Sequence, residues 1–182
     1  MHDETDEALM GRFRRGEVHA FEVLLGRHRR AVYNFVLRFV RDPAQAEDLL
    51  QDTFLRVIKG AGAYEEQSKF TTWLYTIAHN RMIDHWRKRG LEAVSLDEDD
   101  APEPSAPSST QPERRAELNQ SGGRLIAALA ALPALQREAF LLHEESGLSV
   151  AEIAASTGCG PEAAKSRLRY AIAKLREALV DG

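Results

Sequence analysis

Ser149-Val-Ala-Glu152-Ile153-Ala-Ala-Ser-Thr-Gly158-Cys159-Gly-Pro161-Glu162-Ala163-Ala-Lys165-Ser166-Arg167-Leu-Arg169-Tyr170-Ala-Ile-Ala-Lys-Leu175 spells two helices joined by a tight corner. Ser149 followed three residues later by Glu152 is a capping box, in which side-chain oxygens satisfy the orphan backbone N–H groups of a helix start. A short helix therefore begins at Val150. Ile153 is its inward apolar anchor, and Ala154 and Ala155 let a second helix cross closely. Gly158 supplies the left-handed conformation that the corner needs. Pro161 sits near the first turn of the next helix, where a missing N–H costs nothing. Along that helix Ala164, Leu168, Ala171, Ile172 and Leu175 recur at three- and four-residue steps, which turns the basic side chains outward. This is the layout of a helix-turn-helix, whose second helix offers residues of its first turns to base edges and phosphates in a major groove. The plainer reading is an antiparallel helix pair with a solvated charged face. The coincidence of cap, small pair, corner glycine and basic face favours DNA reading.

Outward from this segment, the 182-residue composition is that of a mostly helical protein, and its length suits two domains better than one. A single cysteine, Cys159, excludes an internal disulfide framework and suggests a reducing compartment, with a small corner residue as its role. No apolar run approaches the roughly 20 residues of a membrane helix, and the N-terminus is acidic where a signal peptide is basic. The expected location is the cytoplasm. The net charge of −4 is unusual for a protein that grips DNA alone, because neutralising phosphates supplies most non-specific affinity. Its distribution is more informative. Basic residues gather at 27–30, at 81–89 and along the last helix, and acidic ones at 3–7 and 92–103.

The stretch 91–117 holds Asp97-Glu98-Asp99-Asp100, then Pro102, Pro104, Pro107 and Pro112 among serines. It cannot bury enough apolar surface to offset its ordering entropy, so it is expected to be a flexible acidic linker. It divides the chain into domains at 1–90 and 118–182. Neither half carries a sustained alternation of polarity, so the expected fold class is all-α: two small helical domains joined by that linker.

The N-terminal half parses into helices over about Thr5 to Arg15, Val18 to Arg41, Pro43 to Lys59 and Lys69 to Lys88. Phe21, Leu24, Leu25, Val32, Phe35, Val36 and Phe39 form the stripe of the second. Asp42 caps the third and Pro43 opens it. Leu49, Leu50, Phe54, Val57 and Ile58 are expected inward there, with Glu47, Asp48, Gln51, Asp52 and Arg56 outside. In the fourth, Phe70, Trp73, Leu74, Ile77 and Ala78 read as a buried stripe. Around it stand Tyr64, Tyr75, Asn80, Arg81 and Arg87, aromatics and donors beside a basic strip, as single-stranded DNA binding requires. Trp73 and Trp86 read as core, whereas Tyr64 and Asn80 are the better candidates for base contact.

The runs Ala46-Glu-Asp-Leu-Leu-Gln-Asp-Thr-Phe-Leu-Arg-Val57, Phe70 to Arg87, and Leu132-Pro-Ala-Leu-Gln-Arg-Glu-Ala-Phe-Leu-Leu142 through Arg176 resemble, in order, regions 2.2, 2.3 to 2.4 and 4.1 to 4.2 of a bacterial RNA polymerase sigma factor of the extracytoplasmic-function class. The resemblance covers most of the chain outside the linker. It implies an initiation factor without catalytic residues, cofactor or metal. Its partners would be core RNA polymerase, through the beta-prime clamp helices and the beta flap, promoter DNA and an anti-sigma factor, with the free chain a monomer. Asp48, Gln51, Asp52, Leu55 and Arg56 would dock on the clamp helices. Tyr64, Phe70, Tyr75, Asn80, Arg81, Asp84 and Arg87 would open and read the −10 element. Pro161, Glu162, Ala163, Lys165, Ser166, Arg167, Arg169 and Tyr170 would read the −35 element.

The chain departs from the family pattern where Glu162-Ala163-Ala164 replaces a Gly-Thr-Val-like triplet. Arg169-Tyr170 also reverses the common aromatic-then-arginine order, so the promoter sequence cannot be borrowed from relatives. Two other classes compete at this level. A stand-alone helix-turn-helix regulator would leave the N-terminal half to a ligand or a dimer contact. A helical metalloenzyme would have to use His19, His28, His79, His85 or His143, none of which has metal-ligand spacing.

Overall fold

The computed structural model describes residues 4–88 and 120–180, and every regular element among them is helical. The expected linker, 91–117, lies outside the described residues. Four helices precede the gap: α1 (Asp6–Arg14), α2 (Val18–Val40), α3 (Pro43–Gly60) and α4 (Phe70–Lys88). Four follow it: α5 (Gln120–Ala131), α6 (Ala134–Glu144), α7 (Val150–Thr157) and α8 (Pro161–Val180).

The starts of these helices are chemically explicit. The Thr5 hydroxyl accepts from Ala8 N, and Asp42 accepts from Ala44 N and Gln45 N directly before Pro43. Each such cap satisfies donors that have no partner within the helix. α2 ends at Arg41, whose φ of 56° is the left-handed turn a C-cap uses, here without a glycine. At the far end of α3 the glycine matters for space. A Cβ on Gly60 would stand 3.3 Å from the Trp73 ring, so a side chain there would make the ring give by a few tenths of an ångström.

α1 to α4 enclose a core of Met10, Leu24, Val32, Phe35, Val36, Leu50, Phe54, Val57, Phe70, Leu74 and Tyr75, all buried. Its aromatic rings meet tilted or edge-on, as with Phe35 and Tyr75 at 5.4 Å and 88°. The second group, α5 to α8, packs α6 and α7 against α8 through Leu141, Leu142, Leu148, Ile153, Ala164 and Leu168. A smaller cluster of Leu129, Leu132, Ala171 and Leu175 ties α5 to α8. Buried Arg137 binds this unit together, its guanidinium donating to the carbonyls of Leu129, Ala130 and Leu132 at the end of α5.

The two groups are not separate in space. Buried residues from both form one continuous apolar cluster, with α4 lying along α7 and α2 meeting α6. Polar contacts cross the same seam. His79 of α4 meets Glu138 of α6 at 2.5 Å, Arg38 of α2 meets Glu145 at 2.8 Å, and Lys69 meets Glu152 at 2.9 Å. Arg41 donates to the Ala130 carbonyl, and Arg137 also lies 6.0 Å over the Phe39 ring.

Candidate nucleic-acid and polymerase interfaces

The helix-turn-helix forms as its sequence dictates. Ser149 Oγ accepts from Glu152 N at 3.3 Å, and Glu152 Oε2 accepts from Ser149 N at 2.7 Å. The other carboxylate oxygen takes Lys69, so that hydrogen bond first and the Ser149 N–H second hold the Glu152 carboxyl down to about 2. Gly158 turns the corner at φ 66°, with its N–H on the Ala154 carbonyl. On α8 the buried line Ala164, Leu168, Ala171 and Leu175 leaves Pro161, Glu162, Lys165, Arg169 and Tyr170 exposed, with Ala163 and Ser166 half-buried. The Arg169 guanidinium lies 5.1 Å over the Tyr170 ring, which pre-orients both side chains on the outward face. Arg167 is different. It flanks the apolar line and is 7 % exposed, close enough to act electrostatically on His79 of α4. In this arrangement it faces the seam, and the exposed basic residues of the first half of α8 are Lys165 and Arg169.

On α4 and the loop before it, the residues expected at the −10 element divide into two sets. Tyr64, Phe70 and Tyr75 are at most 2 % exposed and belong to the core. The Tyr64 hydroxyl donates to the Ser68 carbonyl, and burial first, then nearby acidic charge, pushes it up to about 12. The expectation that these three rings receive or stack on bases is corrected here. They are packed against His28, Phe35 and Trp73, and the apolar stripe of α4 is rotated enough to take Tyr75 inward. Trp73 and Ile77, expected in the core, are half-buried instead. They line a cavity of about 650 Å³ together with Asn80, Arg81, Asp84 and Arg87. Thr157 and Gly158, from the corner of the helix-turn-helix, close its other side.

Within this cavity Asn80 and Arg87 are exposed. Arg81 is not free to swing, because its guanidinium bonds Asp84 one turn on and reaches Asp52 of α3 at 3.2 Å. Asp52 is also approached by Arg56 at 3.7 Å. A charge network therefore ties the outer face of α3 to the wall of the cavity. Networks of this kind fix geometry more than they add stability.

On α3 itself Asp48, Gln51, Leu55 and Arg56 are exposed and Asp52 half-exposed, all on one face. Ile58, expected inward, is 43 % exposed beside Leu55 at 51 %. The spacing of Gln51, Leu55 and Ile58 at four and three residues carried that information, but an isoleucine at a helix end reads as core by default.

Among the described residues each histidine has a partner: His19 with Glu22, His28 with Asp6, His79 with Glu138, His85 with Gln45 and His143 with the Leu148 carbonyl. Among the described residues no three His, Cys, Asp or Glu side chains stand together as a metal site, and no helix is long and apolar enough to cross a membrane.

Comparison with known proteins agrees with this geometry. Residues 24–92 match the model of Sigma-70 region 2, and residues 122–175 that of Sigma-70, region 4. The chain is 42 % identical over 172 residues to the RNA polymerase sigma factor CarQ of Myxococcus xanthus, covering 93 % of this chain and 95 % of that one. It is 33 % identical over 165 residues to the ECF RNA polymerase sigma factor SigK of a Mycobacterium species, covering 90 % and 84 %. Among solved structures it is similar to CnrH in complex with the cytosolic domain of CnrY, with a TM-score of 0.70, 25 % identity and 98 % of each chain covered. It is also similar to the sigma factor RpoE bound to the anti-sigma factor NepR of Bartonella quintana, at TM-score 0.67, 32 % identity and coverage of 87 % and 96 %. The region 2 match does not favour the stand-alone regulator, since that reading gives α3 and α4 no role of their own. With a region 2 unit, a region 4 helix-turn-helix and relatives matched over most of both chains, the chain belongs to the sigma-70 family, in its extracytoplasmic-function class of RNA polymerase initiation factors.

Proposed function

We propose the following division of labour within this sigma factor. The outer face of α3, with Asp48, Gln51, Asp52, Leu55 and Arg56 joined by Ile58, docks on the beta-prime clamp helices. The cavity wall of α4 engages the −10 element, with Asn80 and Arg87 as the exposed readers. Arg81 and Asp84 fix that wall. Opening the duplex forfeits stacking of about 1.4 kcal/mol per step, so the cavity has to return part of it to a displaced base. The half-exposed Trp73 ring on its wall is the surface on which a base could stack.

α8 reads the −35 element from Lys165, Ser166, Arg169 and Tyr170, with Pro161, Glu162 and Ala163 at the groove entrance and Arg167 behind them, buried in this structure. Glu162 is placed to accept from a cytosine amino group. The beta flap takes the apolar surface of α5 and the end of α8, where Ile126 is 63 % and Val180 80 % exposed. The domains are 1–90 and 118–182, with 91–117 as the linker between them. The protein acts in the cytoplasm, carries out no chemistry of its own and is held by an anti-sigma factor, as the CnrH and RpoE structures illustrate for their proteins.

The observation that supports this reading is the separation of exposed residues into three faces, polar and apolar on α3, amide and guanidinium on α4, basic on α8. Run-off transcription with core polymerase tests it. Lys165→Ala with Arg169→Ala should abolish dependence on the −35 sequence while leaving core binding intact. Asn80→Ala should slow promoter opening without weakening duplex binding at −35. Equal losses in all steps would refute the division.

A further inference from the structure

We infer that Glu7 of α1 is a positioning residue for the −10 wall: it supplies the cap that α4 lacks in its own segment, and with Gly11 and Arg14 it fixes the loop that leads into that wall.

α4 does not begin as α1, α3 and α7 do. Those three carry their caps in Thr5, Asp42 and Ser149, each adjacent to the helix it serves. The carbonyl of Lys69 accepts the first bond of α4, from Trp73 N at 3.2 Å, so a lysine stands at the N-cap. An ammonium has no acceptor to offer, and its charge opposes the positive end of the helix. No acidic residue follows in the first turn. The missing acceptor comes from 63 residues away, where Glu7 Oε1 accepts from Phe70 N at 2.9 Å. The half-buried carboxylate thereby places negative charge at the helix end that favours it.

The same face of α1 holds the loop before α4. Glu7, Gly11 and Arg14 follow one another at helical steps of four and three, which sets them side by side. Glu66 of the loop lies against that face: a Cβ on Gly11 would stand 2.9 Å from Glu66 Oε1, and Arg14 Nη1 is 3.8 Å from the same oxygen. A larger residue at 11 would displace that carboxylate. After burial, the Glu7 charge is the strongest influence on the Tyr64 hydroxyl, so Glu7 also lies beside the buried ring of the loop.

What this face holds is one border of the cavity. Gly60 and Ala63 line it, as does Trp73, whose ring packs on Tyr64 at 5.0 Å and on Phe70 at 6.2 Å. The lining contains no residue of α1, so the effect of Glu7 passes through Phe70, Tyr64 and Trp73. The region 2 match begins at residue 24, beyond α1, so this role is no part of that match.

The cap stands on geometry alone, whereas its consequence for opening rests on the assignment of the cavity to the −10 element. Amide hydrogen exchange in the free full-length chain tests the first, and opening kinetics of the holoenzyme the second. Glu7→Ala should speed exchange at Phe70 and slow promoter opening, each about fivefold, the size of one lost cap, with core affinity and −35 dependence unchanged. Leu9 and Met10 remain as buried anchors of α1. Should Glu7→Ala unfold even so, Glu7→Gln decides, since it keeps the acceptor, loses the charge and should show about half of that effect on a logarithmic scale. Lys69→Asn separates capping from a general weakening of the fold, because it gives α4 an acceptor of its own. In that background Glu7→Ala should move both readouts by less than about twofold.

Unchanged exchange at Phe70 in whichever variant folds, or a loss that Lys69→Asn does not absorb, would overturn the inference. So would faster exchange with normal opening, where Asn80→Ala does slow opening. If neither variant slows it, the assignment of the cavity to the −10 element fails and the cap stands.

Discussion

Truncating the apolar pair on α3, Leu55→Ala with Ile58→Ala, should separate docking from folding. Leu55 is 51 % and Ile58 43 % exposed, so each already buries about half of its surface in the free chain. Fully burying such a side chain is worth roughly 1.5–3 kcal/mol, so covering the exposed half on a partner gains about 1 kcal/mol per residue. The pair therefore contributes about 2 kcal/mol to polymerase binding, which is about 30-fold in Kd. The packed half sets the cost to the free fold, at less than about 1 kcal/mol per site, because no closed cavity is left behind. Competition against a fluorescent reference sigma factor for core polymerase measures the first quantity, and thermal unfolding of the free chain the second. A Kd within threefold of the parent, with Tm hardly moved, would show that α3 does not present this face to polymerase. A collapse in Tm would show that the two side chains are structural.

Four further outcomes follow from contacts already described. Arg81→Lys should slow promoter opening, because an ammonium cannot span Asp52 and Asp84 together. A double-mutant cycle with Asp52→Asn should show coupling of about 0.5–3 kcal/mol in the opening rate, and strict additivity would refute the link. Ser149→Ala should destabilise the α5–α8 unit by about 1 kcal/mol in a chemical melt, through loss of the cap on α7, and no change would show that the capping box is idle. Lys165→Ala should reduce the salt slope of promoter binding by about 1 in the holoenzyme, with an unaltered slope counting against a phosphate contact.

The fourth concerns pH. Burial alone would lower the His79 value, and Arg167 adds to that, but the charge and hydrogen bond of Glu138 together outweigh both and leave it raised. The acidic groups that neighbouring elements turn toward α4 have cationic partners of their own, Glu152 in Lys69 and Asp52 in Arg81. A raised value in the folded chain means folding binds the proton. The stability it contributes is therefore full below the ordinary histidine value of about 6.5 and is lost as pH rises through the raised one. The stability advantage of the parent over His79→Gln in a chemical melt should shrink from pH 6 to pH 8.5; an advantage independent of pH would refute the protonated pair.

Helix positions in this chain are legible in its sequence because they depend on local chemistry. Asp42-Pro43, Ser149 with Glu152, and Gly158 each specify a boundary within a few residues, and the structure has those boundaries. Which face of a helix is covered is legible only when its neighbours lie in the same short segment. Tyr64, Phe70 and Tyr75 carry the same aromatic signal whether they meet bases or each other, and only the packing of α1 and α2 over them decides. Ile58 failed for the opposite reason, since apolarity alone does not say whether a neighbouring helix covers the side chain. His79 and Glu138 are 59 residues apart with a linker between them, and no periodicity relates two positions so distant. The same holds for Arg167, whose basic character is evident and whose cover is not.

The Glu152 side chain splits its two oxygens between errands of different lifetime. One belongs to Ser149 and sustains the first turn of α7; the other reaches across to Lys69. Lys69 is already 60 % exposed, so losing the second contact costs little and leaves the first untouched. The helix-turn-helix therefore holds its first turn by chemistry internal to itself, and the ordering entropy that a loose segment would forfeit on meeting a partner has been met beforehand.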